Sequence, residues 1–337
     1  MRGTMALTTA LGAVALGGCE LPAGRDVTQK GWRGVALENI ANTRIEAKLK
    51  AENALPPDIP AVAGSGKAGP WQNVQYLGGL DSAEMTRTMS AMAAWVAQKG
   101  VKPTEAGCLY CHNPANYASD EKYTKVVARK MLGMTQHVNA SYTNHVQQTG
   151  VTCYTCHRGM PVPANIWFFT DRYQPLRHYL DREDFRVQGA AALPADSKNR
   201  SSIYQTEYAY ALMINMSNAL GVNCTFCHNS RIWSDWSQSS PQRMTALRGI
   251  RMVRDLNQNY LVPLQGAWPA NRLGPHGDGP KLQCSTCHNG VNKPLYGAAM
   301  AKGYPGLYPG ARAVDTTKVA LGGSSGDAPA AVPGGSP

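Results

Sequence analysis

Four copies of Cys-x-x-Cys-His, set as two similar pairs along 337 residues, predict a mainly α-helical fold with much loop, built from two pseudo-twofold-related halves. Composition points the same way. The chain has 34 Gly and 22 Pro but only 4 Phe, and 16% charged residues, which leaves few bulky side chains for a conventional core. Helical periodicity ahead of the motifs supplies the third observation, because a helix beside a motif can present a side chain to its far face.

The motifs are Cys108-Leu109-Tyr110-Cys111-His112, Cys153-Tyr154-Thr155-Cys156-His157, Cys224-Thr225-Phe226-Cys227-His228 and Cys284-Ser285-Thr286-Cys287-His288. Each is the attachment signature of a c-type haem. Two thiols form thioethers with the vinyl groups, and the adjacent His is the proximal iron ligand. A single motif could be half of a zinc site or a redox dithiol, but four copies, each followed at once by His, specify four covalently bound haems c. The porphyrins then do the work of a core.

Motifs one and three read Cys-x-x-Cys-His-Asn, whereas motifs two and four share Cys-x-Thr-Cys-His-x-Gly. This repeat organises the chain. Residues 76–165 form the haem 1/haem 2 half and 201–310 the haem 3/haem 4 half, joined by a connector over 166–200. The segment 19–75 is expected to be membrane-proximal, with a short helix around Val35–Lys50. Asp81-Ser82-Ala83-Glu84 reads as a capping box opening a helix to about Gln98. Further helices are expected over Tyr123–Thr149, Ile203–Leu220 and Pro241–Asn257. Residues 311–337, rich in Ala, Gly, Ser and Pro, are expected to be a disordered tail.

Of nine cysteines, eight lie in the motifs, so no disulfide is expected. The ninth, Cys19, ends Leu16-Gly17-Gly18-Cys19 after an apolar stretch too short for a comfortable transmembrane helix, which needs about 20 residues. Residues 1–18 read as a lipoprotein-type signal peptide, or as a retained anchor. Lipidation at Cys19, or that anchor, would hold the protein at a membrane. A formal net charge of +11 suits an acidic partner or membrane surface. No phosphate loop or nucleic-acid motif accompanies it, so nucleic acid is not expected as a partner.

The sixth ligands decide between a carrier and a haem enzyme. Met85, Met89 and Met92 form one face before motif one, Met131 and Met134 precede motif two, and Met213 and Met216 precede motif three. A methionine stripe is more often packing than ligand, and spacing alone does not choose within each set. For haem 4 the repeat points to Met252, while His145 lies close to motif two. The other non-motif histidines are His137, His178 and His276. The last two could serve as acid or base in a multihaem reductase or peroxidase. A membrane-anchored quinol-oxidising cytochrome is a third reading.

At these residues the chain resembles the tetrahaem cytochrome subunit bound to photosynthetic reaction centres of purple-type bacteria. The resemblance spans residues 70–310 or so. It is carried by Val126-Val127-Ala128-Arg129-Lys130-Met131-Leu132, by Gln148–Gly159 around motif two, by Gly221–Asn229 around motif three and by Gly249–Asn257. Departures are a longer Gln98–Ala106 and a shorter connector. The resemblance implies that Met89, Met131 and Met213 are the sixth ligands of haems 1, 2 and 3. It makes haem 4 bis-His, with His145 crossing between halves, and turns Met252 into a packing residue. It also places Arg243 beside the haem nearest the photo-oxidised chlorophyll pair. The implied function is a relay and not an enzyme. Electrons from a soluble periplasmic donor, a cytochrome c or a high-potential iron–sulfur protein, would pass to the bacteriochlorophyll pair of the reaction centre core, at the periplasmic face of the inner photosynthetic membrane.

Overall fold

The computed structural model describes residues 25–30, 37–172, 174–180 and 203–310. The expected signal peptide, Cys19, the tail and most of the connector lie outside these residues. The described chain is helical with long loops, apart from one antiparallel hairpin of β1 (Arg25–Lys30) and β2 (Leu37–Asn42), with Arg25 opposite Asn42 and Lys30 opposite Leu37. Leu37–Asn42 therefore corrects the helix expected over Val35–Lys50. Helix α1 begins only at Thr43 and runs to Glu52. No described helix is long and apolar enough to cross a membrane.

Helix α2 spans Ser82–Val96, and Asp81 caps it by accepting from Glu84 N at 2.9 Å. The reciprocal half of the expected box is replaced. The Glu84 carboxylate instead takes Arg87 Nη1 at 3.1 Å, because Arg87 is only 7% exposed and needs a buried anion. Arg87 also donates to Ile59 O and Gly303 O, both at 2.8 Å, so one side chain ties three distant segments together.

Helix α3 covers Tyr123–Ser141 and stops short of the expected Thr149. Tyr142 N closes the last turn on Val138 O, and a single turn, α4 (Thr143–Val146), follows. Helix α6 occupies Ile203–Leu220, and α7 occupies Pro241–Leu256, continuing as a π turn over Asn257–Leu261. The motif helices α5 (Cys153–His157) and α8 (Cys284–His288) are one turn each.

Two apolar clusters hold these elements. One joins α2 to Leu132, Tyr154, Leu295, Tyr304 and Leu307, with Trp95 edge-on to Tyr304 at 4.7 Å. The other joins α6 and α7 to Val138, Trp167, Tyr179 and Leu282. The first cluster thus includes the end of the second half, and the second includes the end of α3. The halves exchange core residues.

Candidate haem-attachment sites

The two motif types fold as two local structures, each used twice. Motifs one and three are 3₁₀ turns in which the second cysteine adopts nearly the same backbone, φ −108° at Cys111 and −110° at Cys227. Motifs two and four are short α-helices whose threonine hydroxyl caps the turn. Thr155 Oγ1 accepts from Thr152 N at 2.9 Å, and Thr286 Oγ1 accepts from Gln283 N at 3.1 Å. Each of these helices ends on a left-handed residue, Arg158 (φ 53°) or Asn289 (φ 47°). A buried asparagine clamps the approach to each: Asn139 pairs in both directions with Val151, and Asn257 with Leu282.

The imidazoles carry the clearest chemical signal. Nδ1 of His112 lies 2.9 Å from Tyr117 O, that of His157 2.9 Å from Met160 O, that of His228 3.0 Å from Trp233 O and that of His288 3.0 Å from Val291 O. His145 does the same with Thr245 O at 2.9 Å. A carbonyl only accepts, so in all five rings Nδ1 carries the proton and Nε2 presents a lone pair. That is the tautomer and support a metal-bound histidine needs. Burial lowers the pKa of His145, His157, His228 and His288, the last to about 4, which keeps each ring neutral and able to ligate. His137 and His276 differ. Their Nε2 atoms lie 2.7 Å from Asp255 and 3.1 Å from Asp171. His178 packs against Tyr208, with ring centres 6.3 Å apart.

His145 and His288 stand with ring centres 6.2 Å apart. Two metal–imidazole bonds of about 2.0 Å, extended to the ring centres, span about 6 Å. The rings thus stand at the separation that one six-coordinate iron between them requires. Gly249 permits this, because a Cβ there would lie 2.5 Å from His145 Cε1.

Cavities stand at the first two motifs. One of about 590 Å³ is bounded by Cys108, Cys111 and His112 and by the whole Met85, Met89, Met92 stripe. The other, about 380 Å³, brings Met131 and Met134 to Cys153, Cys156 and His157. Both are of the size of cofactor clefts, about 300–1,000 Å³, and their donors suit haem iron. Met252 also borders the second cavity, but it is 8% exposed within the α6–α7 core. Met213 is half-buried on α6, which packs against the motif-three turn, while Met216 is 8% exposed.

Arg243 lies beside motif three. It donates to Asp235 O at 3.0 Å and to Ser239 Oγ at 2.7 Å, and its guanidinium sits 4.0 Å from the centre of the Trp236 ring. Its charge further lowers the pKa of His228, after burial has lowered it most.

One contact is unexpected. The sulfurs of Cys156 and Cys287 come close enough for a disulfide, with Cα atoms 4.4 Å apart, although the cysteine count assigns both thiols to haem attachment. The reason is tertiary. Helices α5 and α8 abut, with Arg158 Nη2 donating to Cys287 O at 3.1 Å, and bring together the second sulfur of motifs two and four. Each sulfur forms either that disulfide or a thioether.

The family model described as photosynthetic reaction centre cytochrome C subunit matches residues 20–174 and 169–308. The photosynthetic reaction center cytochrome c subunit of Rubrivivax gelatinosus is 46% identical, covering 93% of this chain and 92% of that one. Its counterpart in Thermochromatium tepidum is 43% identical, covering 96% and 83%. That of Roseobacter denitrificans is 37% identical, covering 88% and 89%. With its paired attachment motifs and its carbonyl-held imidazoles, the chain belongs to the photosynthetic reaction centre cytochrome c subunit family.

Proposed function

We propose that the protein is a four-haem electron relay. As a member of its family it carries covalently bound haem c, partners the reaction centre core and transfers electrons there, in association with the photosynthetic membrane. Each haem, when bound, supplies a one-electron iron couple. The chain supplies everything that makes the couple a carrier's. His112, His157, His228 and His288 hold the proximal positions, their rings fixed by the backbone carbonyls. Met89, Met131 and Met213 fill the sixth positions of haems 1, 2 and 3, and His145 that of haem 4. With both axial positions taken, no substrate has access to iron. Thioether raises the potential relative to imidazole, so the His145 site lies among the lower ones. Arg243, charged at any relevant pH, favours the reduced state at haem 3.

The observation that carries this reading is the His145–His288 pair, 6.2 Å apart, each ring with its Nδ1 bonded to a carbonyl. The close approach of motifs two and four at Cys156 and Cys287 supports electron passage between the halves. On this reading the protein sits at the periplasmic face, held by lipid at Cys19 or by a retained anchor, and is reduced by a soluble cytochrome c or high-potential iron–sulfur protein.

A pyridine haemochrome assay should count four haems per chain, and the reduced protein should fail to bind carbon monoxide. Binding at one or more haems would mean an open iron and an enzyme. Mass spectrometry of the mature N-terminus tests the anchor, since an intact Met1 without an acyl group excludes lipidation at Cys19.

A further inference from the structure

We propose that Lys125 is the fixed charge that raises the potential of haem 1, the first-half counterpart of Arg243. The inference rests on the reading that a haem is attached at motif one. Lys125 is 8% exposed and borders the 590 Å³ cavity that holds Cys108, Cys111 and His112. Its Nζ donates to Tyr117 O and to Ser119 O, both at 2.8 Å. Tyr117 O is the same atom that accepts from His112 Nδ1 at 2.9 Å. The ammonium therefore meets the proximal imidazole across a single oxygen.

Two effects follow, and both have the same sign. A cation held close to the iron favours the reduced state, which carries one positive charge fewer, and in a buried site that attraction is weakly screened. A carbonyl oxygen shared with an ammonium also accepts less from the imidazole N–H. The ring is then a poorer donor, because hydrogen bonding at the far nitrogen is what raises ligand basicity. Each effect makes the oxidised haem less stable.

The internal repeat supplies an analogous contact at motif three, made from a position two residues further along the repeat. Lys125 and Arg243 are each the third residue of their helices, α3 and α7. A hydroxyl at the start of each helix makes the same bond: Thr124 Oγ1 donates to Tyr110 O and Ser240 Oγ to Phe226 O, in both cases 14 residues back. The proximal histidines accept support from carbonyls five residues on, at Tyr117 and Trp233. Two residues beyond those carbonyls, Ser119 O takes Lys125 and Asp235 O takes Arg243. The two cations differ in their surroundings. Lys125 lies 3.2 Å from Asp120, which also holds Arg129 at 2.7 Å, whereas Arg243 stacks on Trp236. Hydrogen bonds from Arg129 above all keep the Asp120 carboxyl well below the usual range, so it stays anionic and offsets part of the Lys125 charge.

The experiment is a potentiometric titration of the intact subunit, with haems counted in every variant. Lys125→Gln should lower one midpoint and leave the other three in place. Lys125→Arg should restore it. Asp120→Asn should move the same midpoint upward, an opposite sign that mere loosening of the loop would not produce. Arg243→Leu should lower a different midpoint. Four haems with every midpoint unmoved in Lys125→Gln would overturn the inference, as would Lys125 and Asp120 variants that shift in the same direction. A wild-type subunit with no haem on Cys108 and Cys111 by peptide mass would instead remove the attachment reading beneath it.

Discussion

The two halves share a backbone and differ in what they aim at the haem sites. Motifs one and three make the same turn and fix their histidines with the same five-residue reach, and motifs two and four repeat the same threonine cap and asparagine clamp. Against that repetition, the cation beside motif one is a lysine shared with an aspartate, while the one beside motif three is an arginine on a tryptophan. Motif two faces methionines of its own half, while motif four faces His145 from the other half. Attachment can thus be duplicated with the fold, and individuality is left to ligands and charges. A series of unequal haems needs no more than that.

The largest expected effect tests the shared scaffold. Asn257 is fully buried and Asn139 is 4% exposed, and each also bonds a second carbonyl, Tyr179 O and Leu307 O respectively. Truncating either to alanine leaves buried backbone groups unsatisfied and should cost on the order of 3 kcal/mol. Chemical denaturation should show similar losses for both variants. A loss at only one of them would break the equivalence of the halves.

His145→Met tests the difference. It should raise one midpoint by about 0.1 V, a fraction of the roughly 0.8 V that axial ligands span, equal to about 2.3 kcal/mol. The bis-imidazole signal in electron paramagnetic resonance should disappear. An unchanged spectrum would remove His145 from the site and return Met252 to consideration.

Gly249→Ala sharpens the same point without touching a ligand. The new methyl group would meet His145 Cε1, and relief requires breaking its bond to Thr245 O. A cost of about 1–2 kcal/mol is expected from overpacking, together with a perturbed bis-imidazole signal. A normal signal and unchanged stability would show that the imidazole is not held there.

The smallest effect concerns the seam between α3 and α7. Burial opposes ionisation of Asp255, but bonds from Tyr142 at 2.8 Å, Asn259 and His137 prevail and hold its carboxyl below the usual range. An unfolded aspartate titrates near 3.9. The stabilisation is therefore complete above that pH and is lost as pH falls through the lower folded value. Asp255→Asn should flatten the fall in stability between about pH 5 and 3 by less than 1 kcal/mol. An identical acid limb in the variant would count against it.

Much of this was legible from local pattern. Cys-x-x-Cys-His spacing is covalent chemistry within one turn, so the four motifs can be read as candidate attachment sites without knowledge of the fold. Ile203–Leu220 runs between the expected bounds, and Asp81 caps α2, because propensity and capping act over a few residues. The exception at short range is Leu37–Asn42, where pairing with Arg25–Lys30 overrides a helical pattern.

What the sequence by itself determined, then, is the number and kind of attachment motifs, their repeat and most of the helices. Only the tertiary structure decided which side chains meet. It brought Cys156 beside Cys287 across 131 residues, placed Lys125 on the carbonyl that supports His112, and sorted five carbonyl-held imidazoles from His137 and His276. A hydrogen bond between residues a hundred positions apart, such as His145 to Thr245 O, leaves no periodic trace in either segment. It exists because α4 and α7 pack, and packing is settled by the whole chain at once.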